Sequence, residues 1–362
     1  MENSKISSFQ LITLIYIFIL GTTIMFPVGG DAKQAAWLSI LLGMISGIPL
    51  LFIYVYLNKQ YPNLVLTEYC KQILGKYLGS FIGIFYILFF LYGAARDVRD
   101  AMELIPLFLD GTPIWAIGIM LLLPILYALF LGIEVIGRTS EIFFPYVVLT
   151  GLLIIIFIFF SDIAKFENLQ PVLEPGWETI IITTRNETWM APFGEMICFT
   201  MIFAYLYKPK SVLKVGVVGV VSGGLFLVFI HMLIISVIGA EARNTSIAPL
   251  LDMVQKINIG NFIQRLDALF MIWLIVNDFF KILVFMYAAV IGGATIFKVS
   301  KSLLIIPFGL IVLLTSIFFA GSYTAHMAQS DFVLKNIYPI FSVYIPLLLC
   351  IVYFVRQKLN RR

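Results

Sequence analysis

The chain has 362 residues, of which 61% are hydrophobic and only 12% charged, with a formal net charge of +4. A water-soluble protein needs about 25% charged residues to cover its surface, so a soluble globular fold is excluded. Apolar runs of about 20 residues recur from end to end, and each reads as a membrane-crossing helix. They leave no room for a soluble catalytic domain, so residues 1–362 read as one transmembrane domain.

The first predicted span covers 8–28 and contains LITLIYIFILGTTIMFPV. Gly21, Thr22 and Thr23 sit in its middle, and Pro27 follows. No small-residue cleavage site comes after it, so it reads as an uncleaved helix. The second span is 34–57 and the third 79–107. The third carries Arg96, Asp97, Arg99, Asp100 and Glu103, with 96, 99, 100 and 103 on one helix face. At i,i+4 spacing Arg96 is expected to pair with Asp100, and Arg99 with Glu103. At ~1.5 Å per residue the cluster lies about 24–35 Å beyond residue 80, toward the outer boundary.

The fourth and fifth spans are 113–131 and 139–160. An acidic loop, 161–187, leads to the sixth span at 188–207, TWMAPFGEMICFTMIFAYLY. Pro192, Phe193 and Gly194 interrupt it, and Glu195 follows. The seventh span, 212–238, contains His231, read as a core histidine. The loop 239–262 includes an amphipathic stretch, Ser246 to Ile257, that suits a short helix over the outer face. The eighth span, 263–296, carries Asp267, Asn277, Asp278 and Lys281. Lys281 lies one turn beyond Asp278 and is expected to neutralise it. A charge at mid-membrane costs about 3 kcal/mol, so such groups point inward and mark function. The ninth and tenth spans are 303–320 and 336–355.

Lys and Arg concentrate on one side, at Lys5, Lys59, Lys71, Lys76, Arg138, Lys208, Lys210, Lys214, Lys298, Lys301, Arg356, Lys358, Arg361 and Arg362. That side is expected to be cytoplasmic, with both termini on it. Proline removes a backbone donor and glycine lets the chain unwind, so the first and sixth spans read as broken helices. Breaks at matching positions of two five-helix halves point to an inverted-repeat transporter scaffold and its binding site. Half-helix N-termini there attract carboxylates and the opposing carbonyls attract amines, which suits a zwitterion such as an amino acid.

Cys70, Cys198 and Cys350 form neither a disulfide framework nor a metal motif. Two histidines, His231 and His326, are too few and too far apart for a histidine metal site. No catalytic motif, cofactor signature or nucleic-acid signature is present. The chain is expected not to be an enzyme.

Several stretches, in order, resemble the B-subunit family of bacterial spore-germination nutrient receptors. They are ISSFQLITLIYIFILGTTIMFP, RDAMELIPLFLDGTPIW (99–115), GIEVIGRTSEIFFP (132–145), FGEMICF (193–199) and RLD (265–267). That family is similar to amino-acid/polyamine/organocation transporters. The resemblance implies an all-α bundle of about ten spans, of 5+5 LeuT type, with helices 1 and 6 broken. It also implies a spore inner-membrane receptor subunit with A and C subunits as partners and a small nutrient as ligand.

The expected ligand-binding residues are Gly21, Thr22, Thr23, Arg96, Phe193, Gly194, Glu195, Asn277 and Asp278. Arg99, Asp100, Glu103, Asp267 and Lys281 are expected to form a polar or gating network. No metal or cofactor is expected. The alternatives are an amino-acid permease coupled to protons or sodium, and an ion or water channel opening in germination.

Overall fold

The computed structural model describes residues 4–109, 111–258, 267–318 and 321–360. The helices are α1 (Ser8–Leu20), α2 (Ala36–Gln60), α3 (Leu66–Leu74), α4 (Lys76–Leu104), α5 (Ile114–Leu131), α6 (Ile133–Phe160) and α7 (Gly176–Thr183). They continue with α8 (Val212–Ile238), α9 (Ala240–Thr245), α10 (Pro249–Gln255), α11 (Asp267–Phe297), α12 (Lys301–Phe318), α13 (Tyr323–Asn336) and α14 (Ile345–Asn360). Among the described residues, 8 helical segments are long and apolar enough to cross a membrane. The first and sixth crossings lie outside that set because both are interrupted.

Large apolar side chains remain exposed on the outer faces, such as Phe81 and Leu88 on α4, Leu149 on α6 and Leu310 and Leu314 on α12. In water such a surface would aggregate; in a bilayer it is solvated by lipid chains. α11 is the most buried long helix. It packs against α4, α1, α12, α6 and α5 and so forms the central post of the bundle.

The first crossing starts sharply. Ser7 accepts a bond from the Gln10 amide (3.1 Å), and Gln10 Oε1 accepts one from the Ser7 amide (2.9 Å), a reciprocal cap. The helix stops at Gly21, whose φ of 25° disfavours any side chain. A short 3₁₀ turn, Thr22–Ile24, follows. The sixth crossing begins at α7 and runs through a wide π-type stretch, Thr184–Phe193, into a 3₁₀ stretch, Gly194–Met201. Its helical path is broken at Ala191 (φ −109°, ψ 117°).

The sixth crossing thus starts at Gly176, twelve residues before the expected 188, inside what reads as a loop. Its threonines conceal it. Thr183 and Thr184 return their hydroxyls to the carbonyls of Thr179 and Ile180, both at 2.8 Å. Thr184 and Thr188 also meet Ser39 on α2 at 3.1 and 3.0 Å.

Two further helical pieces depart from expectation. α13 occupies residues read as a loop before the tenth span. It leads into that span through a π-type turn, Ile340–Tyr344. The carbonyls freed there are used: Tyr54 donates to Ser342 O (2.5 Å) and Tyr86 to Phe341 O (2.8 Å). α10 realises the expected short helix after the seventh span.

The two broken crossings are tied together near the N-terminus. Ile6 donates to Tyr205 O (2.9 Å) and accepts from the Tyr207 amide (3.0 Å). Small residues let neighbouring helices approach the sixth crossing closely. A Cβ on Gly43 of α2 would lie 2.5 Å from Thr188 O, and one on Gly47 would lie 2.6 Å from Phe193 Cβ. Gly47→Leu is therefore expected to force α2 off the sixth crossing and cost about 1–3 kcal/mol. A thermal-unfolding scan of the purified protein in detergent checks this. An unfolding temperature equal to the wild type's would show that the contact does not matter.

Candidate functional site

The charged side chains of α4, α11 and the sixth crossing converge on the first break. Lys281 on α11 is fully buried. Its Nζ lies 3.0 Å from Glu195 Oε2 and 3.6 Å from Asp97 Oδ1. It donates to Thr22 Oγ1 (3.1 Å) and Thr23 Oγ1 (3.4 Å), and sits 5.9 Å above the Phe18 ring. Thr22 passes the connection on, donating its hydroxyl to Asp97 Oδ1 at 3.1 Å. One ammonium thus joins the first break, the segment after the second break, and α4.

Gly21 is required on two counts. Its φ is positive, and a Cβ there would overlap the Lys281 stem. The chain unwinds at Gly21 so that the lysine can cross it.

Two expected pairings are corrected. Lys281 turns to Glu195 and leaves Asp278 without it. Among the described residues, neither Asp278 oxygen has a hydrogen-bond partner. Arg96 does not take Asp100. Its Nη1 lies 3.9 Å from Glu195 Oε1, while Asp100 binds His326 Nε2 of α13 at 2.6 Å. Partners from other elements displace the same-helix partners that spacing suggests. The Arg99–Glu103 pair forms as expected, at 2.6 Å. Arg99 also donates to Ser316 O (3.3 Å), fixing α4 to α12.

Beside this polar core lies a cavity of about 500 Å³, opening at the end of the bundle away from both termini. Thr22, Thr23 and Arg96 line its inner part, and Asp31, Glu187, Asn244, Asp331 and Lys335 line the remainder. Arg96 lines it, while its Nε and Nη1 are buried and lack hydrogen-bond partners among the described residues.

Of the expected ligand-binding residues, Thr22, Thr23 and Arg96 reach the cavity. Gly21 and Glu195 stand behind it as the fold's own polar core. Phe193 packs against Gly47, and Gly194 lies against Ser342. Asn277 and Asp278 are fully buried in α11, away from the lining. Asp267 begins α11, but its side chain lies outside the described residues. So does Arg265 of the RLD stretch.

Sequence reading missed the contribution of α13, whose Ser330, Asp331 and Lys335 line the cavity. Its only signal was polar residues at helical spacing ahead of Pro339. It also missed a latch from α9. Arg243 is fully buried and donates to Val28 O, while its Nη2 meets His231 Nδ1 at 3.0 Å. Asn244 donates to Gly30 O at 2.8 Å. Together they hold the link that follows the first break. Nothing in a short polar loop signals that reach.

The profile of the family described as "Spore germination protein" matches residues 5–324. The chain belongs to this family. It is 35% identical to "Spore germination protein KB" of Bacillus subtilis (strain 168), over 99% of this chain and 97% of that protein. Members are germination-receptor membrane subunits and not enzymes. The structure is similar to that of MhsT in complex with L-phenylalanine, with a TM-score of 0.73 at 14% identity, covering 94% of this chain and 88% of that one. It is also similar to Mhp1, a nucleobase-cation-symport-1 family transporter in a closed conformation with bromovinylhydantoin bound. That match has a TM-score of 0.63 at 12% identity and covers 91% and 76% of the two chains. The fold is therefore that of LeuT-type transporters, and the germination protein is a multi-pass membrane protein built on it.

Removing one partner of a buried ion pair leaves an uncompensated charge, at a cost of about 3–5 kcal/mol. Lys281→Met is expected to lower the protein's stability by this amount, and the double variant Lys281→Met/Glu195→Gln to recover part of it. Unfolding temperatures of the purified variants check this. Equal loss in the single and double variants would show that Glu195 does not depend on the lysine.

Proposed function

We propose that the protein is the membrane subunit of a spore nutrient receptor and that an amino acid binds in the cavity beside the first break. One observation carries this reading. Arg96, held by Glu195 only at 3.9 Å, lines the cavity together with Thr22 and Thr23. A guanidinium suits a carboxylate, and its fork geometry favours two parallel bonds. Glu187, Asp31 and Asp331 supply acceptors for an ammonium on the same cavity. Such a mixed-charge site suits a zwitterion. Its volume of about 500 Å³ accommodates a single amino acid with water.

The orientation that follows the Lys and Arg distribution puts both termini in the cytoplasm and turns the cavity outward. In a spore inner membrane it would then face incoming nutrient. Binding that favours one arrangement of the broken helices over another supplies a signal. A and C subunits of the same receptor would read it. The family and the whole-chain relative support this reading, as does the transporter fold.

Arg96→Gln keeps the side chain polar but removes the charge. It is expected to weaken the nutrient response at least tenfold, with the subunit still accumulating in spores. Germination of variant spores across an amino-acid panel, with immunodetection of the subunit, measures this. An unchanged response would sink the site.

The transporter fold favours a second reading, a permease that moves the same amino acid with protons or sodium. Uptake of labelled amino acid by vesicles containing this chain alone would support it. Binding without uptake would favour the receptor.

A further inference from the structure

Asp278 stands apart from the ion pairs around it. It lies in the middle of α11 and is fully buried. Neither carboxyl oxygen has a hydrogen-bond partner among the described residues. Its neighbour Asn277 turns its amide nitrogen to Trp273 O (2.7 Å), leaving the Asn277 Oδ1 acceptor also unpartnered. The charged groups that act on Asp278 are Asp97 and Asp100 from α4, and Lys281 from its own helix. The first break contributes the hydroxyls of Thr22 and Thr23, both engaged by Lys281, with Thr22 also donating to Asp97. Near this level α6 contributes Phe143 against Phe280, and Tyr146, whose hydroxyl donates to Leu269 O. The sixth crossing contributes Glu195, and Lys281 is bonded to it.

Charge balance points the same way. Even with His326 protonated, the four cations Arg96, Arg99, Lys281 and His326 only match the four anions Asp97, Asp100, Glu103 and Glu195. An ionised Asp278 would add a fifth anion with two acidic neighbours and no donor. A buried carboxylate without a cation or hydrogen bond is too costly to persist, and the group neutralises instead.

We propose that Asp278 is a proton-binding site, holding a neutral carboxylic acid in this arrangement of the bundle. The bond that breaks on release is the carboxyl O–H, and a water admitted between α4 and α11 takes the proton as hydronium. Release therefore needs a movement that brings Asp278 either water or the Lys281 ammonium. Such a movement changes the contacts of Lys281 with the two broken helices, so proton occupancy and bundle arrangement are linked. The site does not depend on what the cavity binds.

Infrared spectroscopy of the full chain in lipid nanodiscs at neutral pH tests this. The wild type is expected to show a protonated-carboxyl C=O band that Asp278→Asn removes and Glu103→Gln leaves in place. A spectrum unchanged by Asp278→Asn overturns the proposal. Asparagine is also a near-isostere of the neutral acid, so Asp278→Asn is expected to keep the wild-type unfolding temperature. A fall as large as that of Lys281→Met would mean that the position requires an anion, and would likewise overturn it.

Discussion

The structure depends on one ammonium. Lys281 extends from the central helix across Gly21 and meets Thr22 and Thr23 at the first break, Glu195 beyond the second, and Asp97 on α4. Unwound backbone survives in a membrane only where polar partners surround it. Charged side chains survive there only when paired. Each condition meets the other here: the breaks supply oxygen ligands for the lysine, and the lysine gives the breaks a reason to stay open. The positive φ at Gly21 and the absence of a Cβ follow from that crossing. Arg96 is left with donors to spare because Glu195 is already held by the closer Lys281.

The two ends of the bundle are built differently. Near the termini, backbone pairing of Ile6 with Tyr205 and Tyr207 joins the first and sixth crossings directly. At the far end the link after the first break is held by side chains, Arg243 on Val28 O and Asn244 on Gly30 O. α13 reaches the polar core through His326 on Asp100 and is joined to α14 through the π-type turn at Ile340–Tyr344. Closed backbone at one end and side-chain latches at the other explain why the cavity opens where it does.

Much of this was legible in the sequence, and the limits have physical causes. Long, continuous apolar crossings announce themselves by hydropathy, so α2, α4, α5, α6, α8, α11 and α12 lie close to their expected places. α7 and α13 escaped because threonines and mixed polar residues satisfy their own backbones and neighbours, not lipid. Gly21, Thr22 and Thr23 stood out because polar and flexible residues are conspicuous in an apolar run, and Arg96 because a buried charge is. The pairing of those charges was not legible. Spacing alone favoured Asp278 for Lys281 and Asp100 for Arg96, while the folded chain offered Glu195 to both. Arg243 gave no signal, since its partners lie about 12 and 215 residues away.

The most direct test of the central claim, that nutrient occupies the cavity beside the first break, is cysteine protection. Lys335 of α13 is exposed and lines that cavity, while the native Cys70 and Cys198 are buried. The rate at which a membrane-impermeant thiol reagent modifies Lys335→Cys should fall several-fold when an amino acid that triggers germination is added. The protection should disappear when Arg96→Gln is introduced into the same chain. Labelling that stays at the same rate with every active nutrient, while germination proceeds normally, would place the ligand elsewhere and contradict the account.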